Sequence, residues 1–223
     1  MSGLTALVAL PMLLLPGAST RGLVVLNTRV VLWLLRVIAR VRVRFEGAEH
    51  LPDTPFILAA KHQSWGDGYA LLAHVPQLAP VIGAHVLKPA IVRWVVEKAG
   101  AVVVDNEGPA SRRGRALQGA AAAARASRRP LLIFPEGAIS EEDGHGVFRP
   151  GVFRLYEALG WPVVPVATNL GARWPLADGL VLRPGEAVVR VMDPLPAGLP
   201  RSAFMARLRE AVTGETDRLR EAA

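Results

Sequence analysis

From residue 41 apolar and charged positions alternate: Val41, Val43 and Phe45 interleave with Arg42, Arg44 and Glu46. A period of two predicts a half-buried strand. The first forty residues follow another rule. Residues 4–15 are apolar apart from Thr5 and include Pro11, a run shorter than the ~20 residues a helix needs to cross a bilayer. The stretch Pro16-Gly17-Ala18-Ser19-Thr20 reads as a break, and residues 23–38 form a second apolar run. Arg29, Arg36 and Arg40 recur at offsets of seven and four, which puts all three on one helical face. Two short segments joined at a Pro-Gly break are expected to form a helical hairpin in the headgroup plane of a membrane. A cleaved signal peptide would need a basic start that the first segment lacks. A hairpin that merely packs on a core is the remaining alternative.

Further on, residues 56–60 are wholly apolar, as in an interior strand, and 65–73 read as a helix. Residues 81–86 predict a strand, 90–98 a helix, 101–104 a strand, and the alanine-rich 111–127 a helix. A strand over 131–134 stops at Pro135; a helix over 152–159, strands over 163–167 and 187–191, and a charged amphipathic helix over 203–219 complete the chain. Residues 141–146 and 174–178 read as loops. This alternation predicts an α/β fold, a mixed, largely parallel sheet flanked by helices. The expected division is an N-terminal membrane-interface helical pair, 1–40, and one domain, 41–223.

Composition narrows the function classes. Hydrophobic residues make up 51% of the chain and the formal charge is +7, with arginines scattered among Leu, Val and Ala. That pairing fits an anionic membrane as partner and not nucleic acid, although a GC-rich genome gives the same arginine surplus. Cysteine is absent, so disulfides and an acyl-cysteine intermediate are excluded. The histidines lack metal-ligand spacing.

The apolar run 56–60 leads into Lys61-His62-Gln63-Ser64-Trp65-Gly66-Asp67. A histidine at the carboxyl end of a buried strand stands where α/β proteins build sites. Asp67, five positions later, can fold back onto the ring. A neutral imidazole can take the proton of an attacking hydroxyl, and a carboxylate on its other nitrogen fixes the tautomer. Alternatively Asp67 merely serves the helix dipole and His62 is only hydrogen-bonded. The second segment is Phe134-Pro135-Glu136-Gly137-Ala138-Ile139-Ser140, at another strand end. Proline stops the ladder and glycine permits an unusual turn. Glu136 is expected at the sheet's edge, where it could grip an acceptor hydroxyl or stand solvated.

In this order, His-Gln-Ser-x-x-Asp and, about 70 residues later, Phe-Pro-Glu-Gly, the two segments resemble the glycerolipid acyltransferase family. Residues 100–105, Val164-Pro165-Val166, Arg149-Pro150-Gly151 and the closing helix are also similar to bacterial members. The resemblance implies a catalytic dyad of His62 and Asp67. It implies acyl transfer from acyl carrier protein or coenzyme A to a lysophospholipid, foremost 1-acylglycerol-3-phosphate. No cofactor beyond that co-substrate is implied. A monotopic seat on the cytoplasmic face of a bacterial inner membrane, with membrane lipids as partners, is implied too. Glu136, Gly137, Lys61, Ser64, Asn106 and Arg149 are the expected substrate-binding residues. Two positions depart from the family pattern: Asn106 and Ile139 stand where arginines hold the acceptor's phosphate. Neither can supply arginine's planar fork. Either Arg112, Arg113, Arg149, Lys88 or Lys61 substitutes, or the acceptor is another lysolipid, such as a substituted lysophospholipid or a lyso-aminolipid. A non-catalytic lipid binder and a thioester hydrolase are further alternatives. A covalent serine esterase is not expected, because the nucleophile motif is missing.

Overall fold

The computed structural model describes residues 16–84, 87, 90–104, 110–140, 144–175 and 181–222. Its elements follow the chain as α1 (Gly17–Val37), β1 (Val41–Glu46), β2 (Ile57–Ala60), α2 (Gly66–His74), β3 (Ala79–Gly83), α3 (Ala90–Lys98) and β4 (Val102–Val104). Then come α4 (Ala110–Ser127), β5 (Leu131–Ile133), α5 (Gly151–Leu159), β6 (Val163–Thr168), β7 (Gly185–Val191) and α6 (Arg201–Glu221). Among the described residues the strands form one seven-stranded sheet in the order β1-β7-β6-β2-β5-β3-β4. Every neighbouring pair is parallel except β6 and β7. The expected mixed, largely parallel sheet is therefore present. β2 is its central strand, flanked by β5 and β6, and the chain leaves it toward one side first and the other later. The carboxyl end of such a strand is where parallel sheets open a crevice.

Both faces of the sheet are covered, which is why its inner strands read as unbroken apolar runs. Ile57, Ala59, Leu131, Ile133 and Val163 pack with Ala120, Leu155, Phe204 and Leu208 of α4, α5 and α6. Leu58, Ala60, Leu132, Val164 and Val166 pack with Leu35 of α1 and Leu71 of α2 on the opposite face. The two-residue alternation thus assigns every second side chain of β2 to one layer. Burying each large aliphatic side chain stabilises the fold by about 1.5–3 kcal/mol.

α1 departs from expectation at both ends. Residues 16–20 are not a break: Pro16 caps the helix and Gly17 opens it. Proline suits that place because the first backbone donors of a helix lack intrahelical partners. Past Val37, Arg40 takes a left-handed conformation, φ 56°, so only Arg29 and Arg36 belong to the helix. Thr20, Val25, Thr28 and Leu35 seat α1 on the body, while Leu26, Val30, Trp33, Val37 and Ile38 are exposed. By length and composition α1 is apolar enough to cross a membrane. The first apolar segment, 4–15, lies outside the described residues.

At the sheet's opposite edge Arg129 ties three strand entries together. Its guanidinium donates to Gln77 O at 3.0 Å, Leu78 O at 2.7 Å, Ala99 O at 3.2 Å and Gly100 O at 3.3 Å. Burial holds this guanidinium below its ordinary pKa, and the charge of Arg21 adds to the effect. Gly100, at φ 93°, is required: a Cβ there would lie 1.8 Å from Arg129 Nη1. Arg129→Met leaves those carbonyls without their donor and is expected to cost about 2–3 kcal/mol, read as a lower urea midpoint.

Candidate active site

The site forms where β2, β5 and β6 end. Lys61 extends the ladder by one bond, its N–H to Val166 O at 2.9 Å. Continuing the alternation, Lys61 turns toward the layer of Ile57 and Ala59, and His62 toward that of Leu58 and Ala60. Phe134, one residue past β5, packs against the same layer as His62. The two rings stack with centroids 3.8 Å apart and planes 15° from parallel. The stack fixes the imidazole plane and leaves 17% of the His62 side chain open to solvent.

Asp67, in the first turn of α2, holds the other side of the ring. Its Oδ2 is 3.1 Å from His62 Nδ1 and accepts the backbone N–H of Gln63 at 2.7 Å and of Ser64 at 2.8 Å. Asp67 is 1% exposed, and its Oδ1 has no hydrogen-bond partner among the described residues. One oxygen of Asp67 thus both faces the imidazole and holds the backbone of the turn that leads into α2. A carboxylate beside Nδ1 requires the proton there, which leaves the Nε2 lone pair for a substrate. The turn is propped by the 3-10 turn that follows β6, Leu170–Ala172: a Cβ on Gly66 would lie 2.7 Å from Leu170 Cδ2, and one on Gly171 would lie 2.8 Å from Gln63 Cβ.

Behind the dyad is a second, fully buried charge pair. Lys61 Nζ donates to both oxygens of Glu136 at 2.9 Å, to Ser140 Oγ at 2.7 Å and to Gly144 O at 3.0 Å. Glu136 Oε2 also accepts the Gly146 N–H at 2.7 Å. Ser140 closes the loop, its N–H and Oγ–H reaching His62 O at 2.8 and 3.0 Å. Lys61 and Glu136, both expected among the substrate-binding residues, are buried, and each completes the other's bonding, because a lone buried charge costs several kcal/mol. Ser64 is likewise buried and accepts the Gly66 N–H at 3.0 Å.

Gly137 is exposed and left-handed at φ 72°, and the Arg149 side chain lies across it, 2.8 Å from where a Cβ would stand. Asn106 and Lys88 lie outside the described residues, as do the side chains of Arg112 and Arg113. His50 pairs with Asp193 and His145 with Asp217, His74 stacks on Phe45, and His85 is outside the described residues. Among the described residues no three His, Asp or Glu side chains gather as a metal site. Ser140 and Phe134 are the site residues that sequence reasoning left without a role. For Phe134 a signal existed: it shares strand parity with Leu132, as His62 does with Ala60.

The acyltransferase family model matches residues 42–169. The chain is 30% identical over 178 residues to a 1-acyl-sn-glycerol-3-phosphate acyltransferase of Pseudomonas aeruginosa, spanning 79% of this chain and 68% of that protein. It is 29% identical over 183 residues to a 1-acyl-sn-glycerol-3-phosphate acyltransferase of Chlamydomonas reinhardtii, spanning 77% of this chain and 52% of the algal protein. With the chloroplastic LPAT1 of Arabidopsis thaliana it shares 26% identity over 162 residues, 69% of this chain and 44% of that one. The chain thus spans about half the length of these algal and plant relatives. Among solved structures, the 1-acyl-sn-glycerophosphate acyltransferase PlsC of Thermotoga maritima shares the fold, with a TM-score of 0.73 at 23% identity, covering 90% of this chain and 79% of that one.

Proposed function

The chain belongs to the glycerolipid acyltransferase family, and on that footing we propose that it acylates the free hydroxyl of 1-acylglycerol-3-phosphate to give phosphatidic acid. The donor is a fatty acyl thioester of acyl carrier protein or coenzyme A. The observation that carries this reading is the His62–Asp67 pair, 3.1 Å apart at the end of the central strand, with the ring still partly open. The acceptor hydroxyl donates its proton to His62 Nε2 while its oxygen attacks the thioester carbon. Asp67 stabilises the imidazolium that forms. Collapse of the tetrahedral intermediate breaks the C–S bond, and the departing thiolate takes the proton back from Nε2. One ester and one thiol result, with no covalent enzyme intermediate and no resident cofactor.

A membrane seat supports the same reading. His62 and α1 lie on one face of the sheet, and α1 presents Leu26, Val30, Trp33 and Ile38 outward, with Trp65 exposed beside the dyad. Such a surface suits the lipid interface from which a lysophospholipid would arrive. In a bacterium that surface is the cytoplasmic leaflet of the inner membrane. The test is mass spectrometry of products from a mixed lysolipid pool, run once with each donor. Phosphatidic acid is the expected product. Acylation confined to lysolipids with substituted head groups, or thioester cleavage without any acceptor, would replace the proposal.

A further inference from the structure

We infer that Arg149 is the residue that grips the acceptor's terminal phosphate, and that Gly137 is its cradle. The assignment rests on the acyl-acceptor reading above and names the group that would make it specific for a phosphate monoester.

Arg149 is held at both ends. Its backbone N–H donates to Pro135 O at 2.8 Å, and its Nε donates to Glu136 O at 3.1 Å. The residue that follows is Pro150, which biases Arg149 toward extended backbone. The loop that delivers it is anchored as well, by Gly146 N–H on Glu136 and by Phe148 in the core. Gly137 lets the side chain pass: a Cβ would lie 2.8 Å from Arg149 Cδ and 2.9 Å from Nε. An arginine is thereby laid along the turn between β5 and the catalytic histidine, at an exposed position.

What remains unused is the reactive part. With Nε committed, the guanidinium keeps both Nη groups, and neither has a polar partner among the described residues. Two parallel N–H donors on a planar cation match two oxygens of one phosphate. Because the side chain is already ordered, little freedom is lost when the anion arrives. The place also fits the chemistry. Gly137 stands three residues before Ser140, which bonds His62 O, and three residues span at most ~10 Å. In a 1-acylglycerol-3-phosphate the attacking hydroxyl and the phosphate sit on adjacent carbons, so the assignment requires the imidazole and this cation to face the same acceptor molecule. Lys61, the neighbouring alternative, is buried and fully bonded to Glu136 and Ser140.

The experiment compares the full-length protein with Arg149→Gln and Arg149→Lys. Two readouts are used: steady-state kinetics on 1-acylglycerol-3-phosphate, and equilibrium titration with sn-glycerol 3-phosphate, which needs no turnover. In Arg149→Gln the acceptor KM should rise roughly tenfold to a hundredfold, with the donor KM unchanged and sn-glycerol 3-phosphate binding weakened alike. Arg149→Lys should recover part of the loss, since it keeps the charge and not the fork. A fall in kcat with both KM values and the titration unchanged would show a structural clamp and overturn the assignment. If the wild type acylates the phosphate acceptor and Arg149→Gln does so with the same KM, the assignment alone fails. If the wild type neither binds sn-glycerol 3-phosphate nor acylates a phosphate monoester, it fails together with the proposed acceptor.

Discussion

His62→Ala is expected to lower turnover by roughly 10²- to 10⁴-fold, the usual share of a positioned general base, while leaving the fold in place. The ring is partly exposed and its neighbours do not depend on it. Oδ2 of Asp67 keeps the Gln63 and Ser64 N–H groups as partners, and Phe134 loses only a stacking surface. Turnover measured beside a thermal melt separates the two effects, and a variant with full turnover would remove the proposed base. Asp67→Asn sharpens the test. All three donors converge on Oδ2 and none on Oδ1. An asparagine with its carbonyl oxygen in the Oδ2 place therefore keeps every hydrogen bond and gives up the charge, at the cost of an amide NH2 in the buried Oδ1 place, where no partner stands among the described residues. The loss in kcat for that variant measures what the negative charge contributes to the imidazolium in the transition state. Asp67→Ala in contrast frees two buried backbone donors and should destabilise the turn itself.

Lys61→Met carries the second large effect, on stability. It leaves the Glu136 carboxylate buried with the Gly146 N–H as its remaining partner, and it removes the donor that holds Ser140 Oγ and Gly144 O. Breaking a buried ion pair from one side costs about 3–5 kcal/mol. For a chain of this size that corresponds to a melting temperature lower by roughly 6–20 °C. The double variant Lys61→Met with Glu136→Gln should regain part of the loss, because no unpaired charge stays inside. Differential scanning calorimetry of the two single variants and the double closes the cycle. A Lys61→Met protein that melts like the wild type would mean that the pair is solvated. Activity should fall in the same variants, since Ser140 links the pair to the carbonyl of His62.

Much of this was legible locally. A strand that alternates Val-Arg-Val-Arg-Phe-Glu, an apolar run of five, and an alanine-rich helix each state their structure within their own length, and the β2 and α4 regions fold accordingly. The spacing of His62 and Asp67 was readable for the same reason: a strand-to-helix turn confines both residues to one short loop. Gly137 announced a turn that other residues resist, and φ 72° meets it. The start of α1 was misread because Pro-Gly marks both a loop and a helix entry, and only the packing of Thr20, Val25 and Thr28 on the body distinguishes them.

The sequence by itself determined the α/β layering, the placement of a histidine and its carboxylate partner at one strand end, and the exclusion of cysteine chemistry. Tertiary structure alone decided that Lys61 and Glu136, 75 residues apart, satisfy each other, and that Arg149 lies on Gly137. The physical reason is range. Periodicity and turn chemistry act between near neighbours, whereas the partner of a buried charge depends on which strands lie side by side and in what register. The pairing of Ala59 with Ile133 brings the ends of β2 and β5 level, and no short stretch of either strand encodes that alignment.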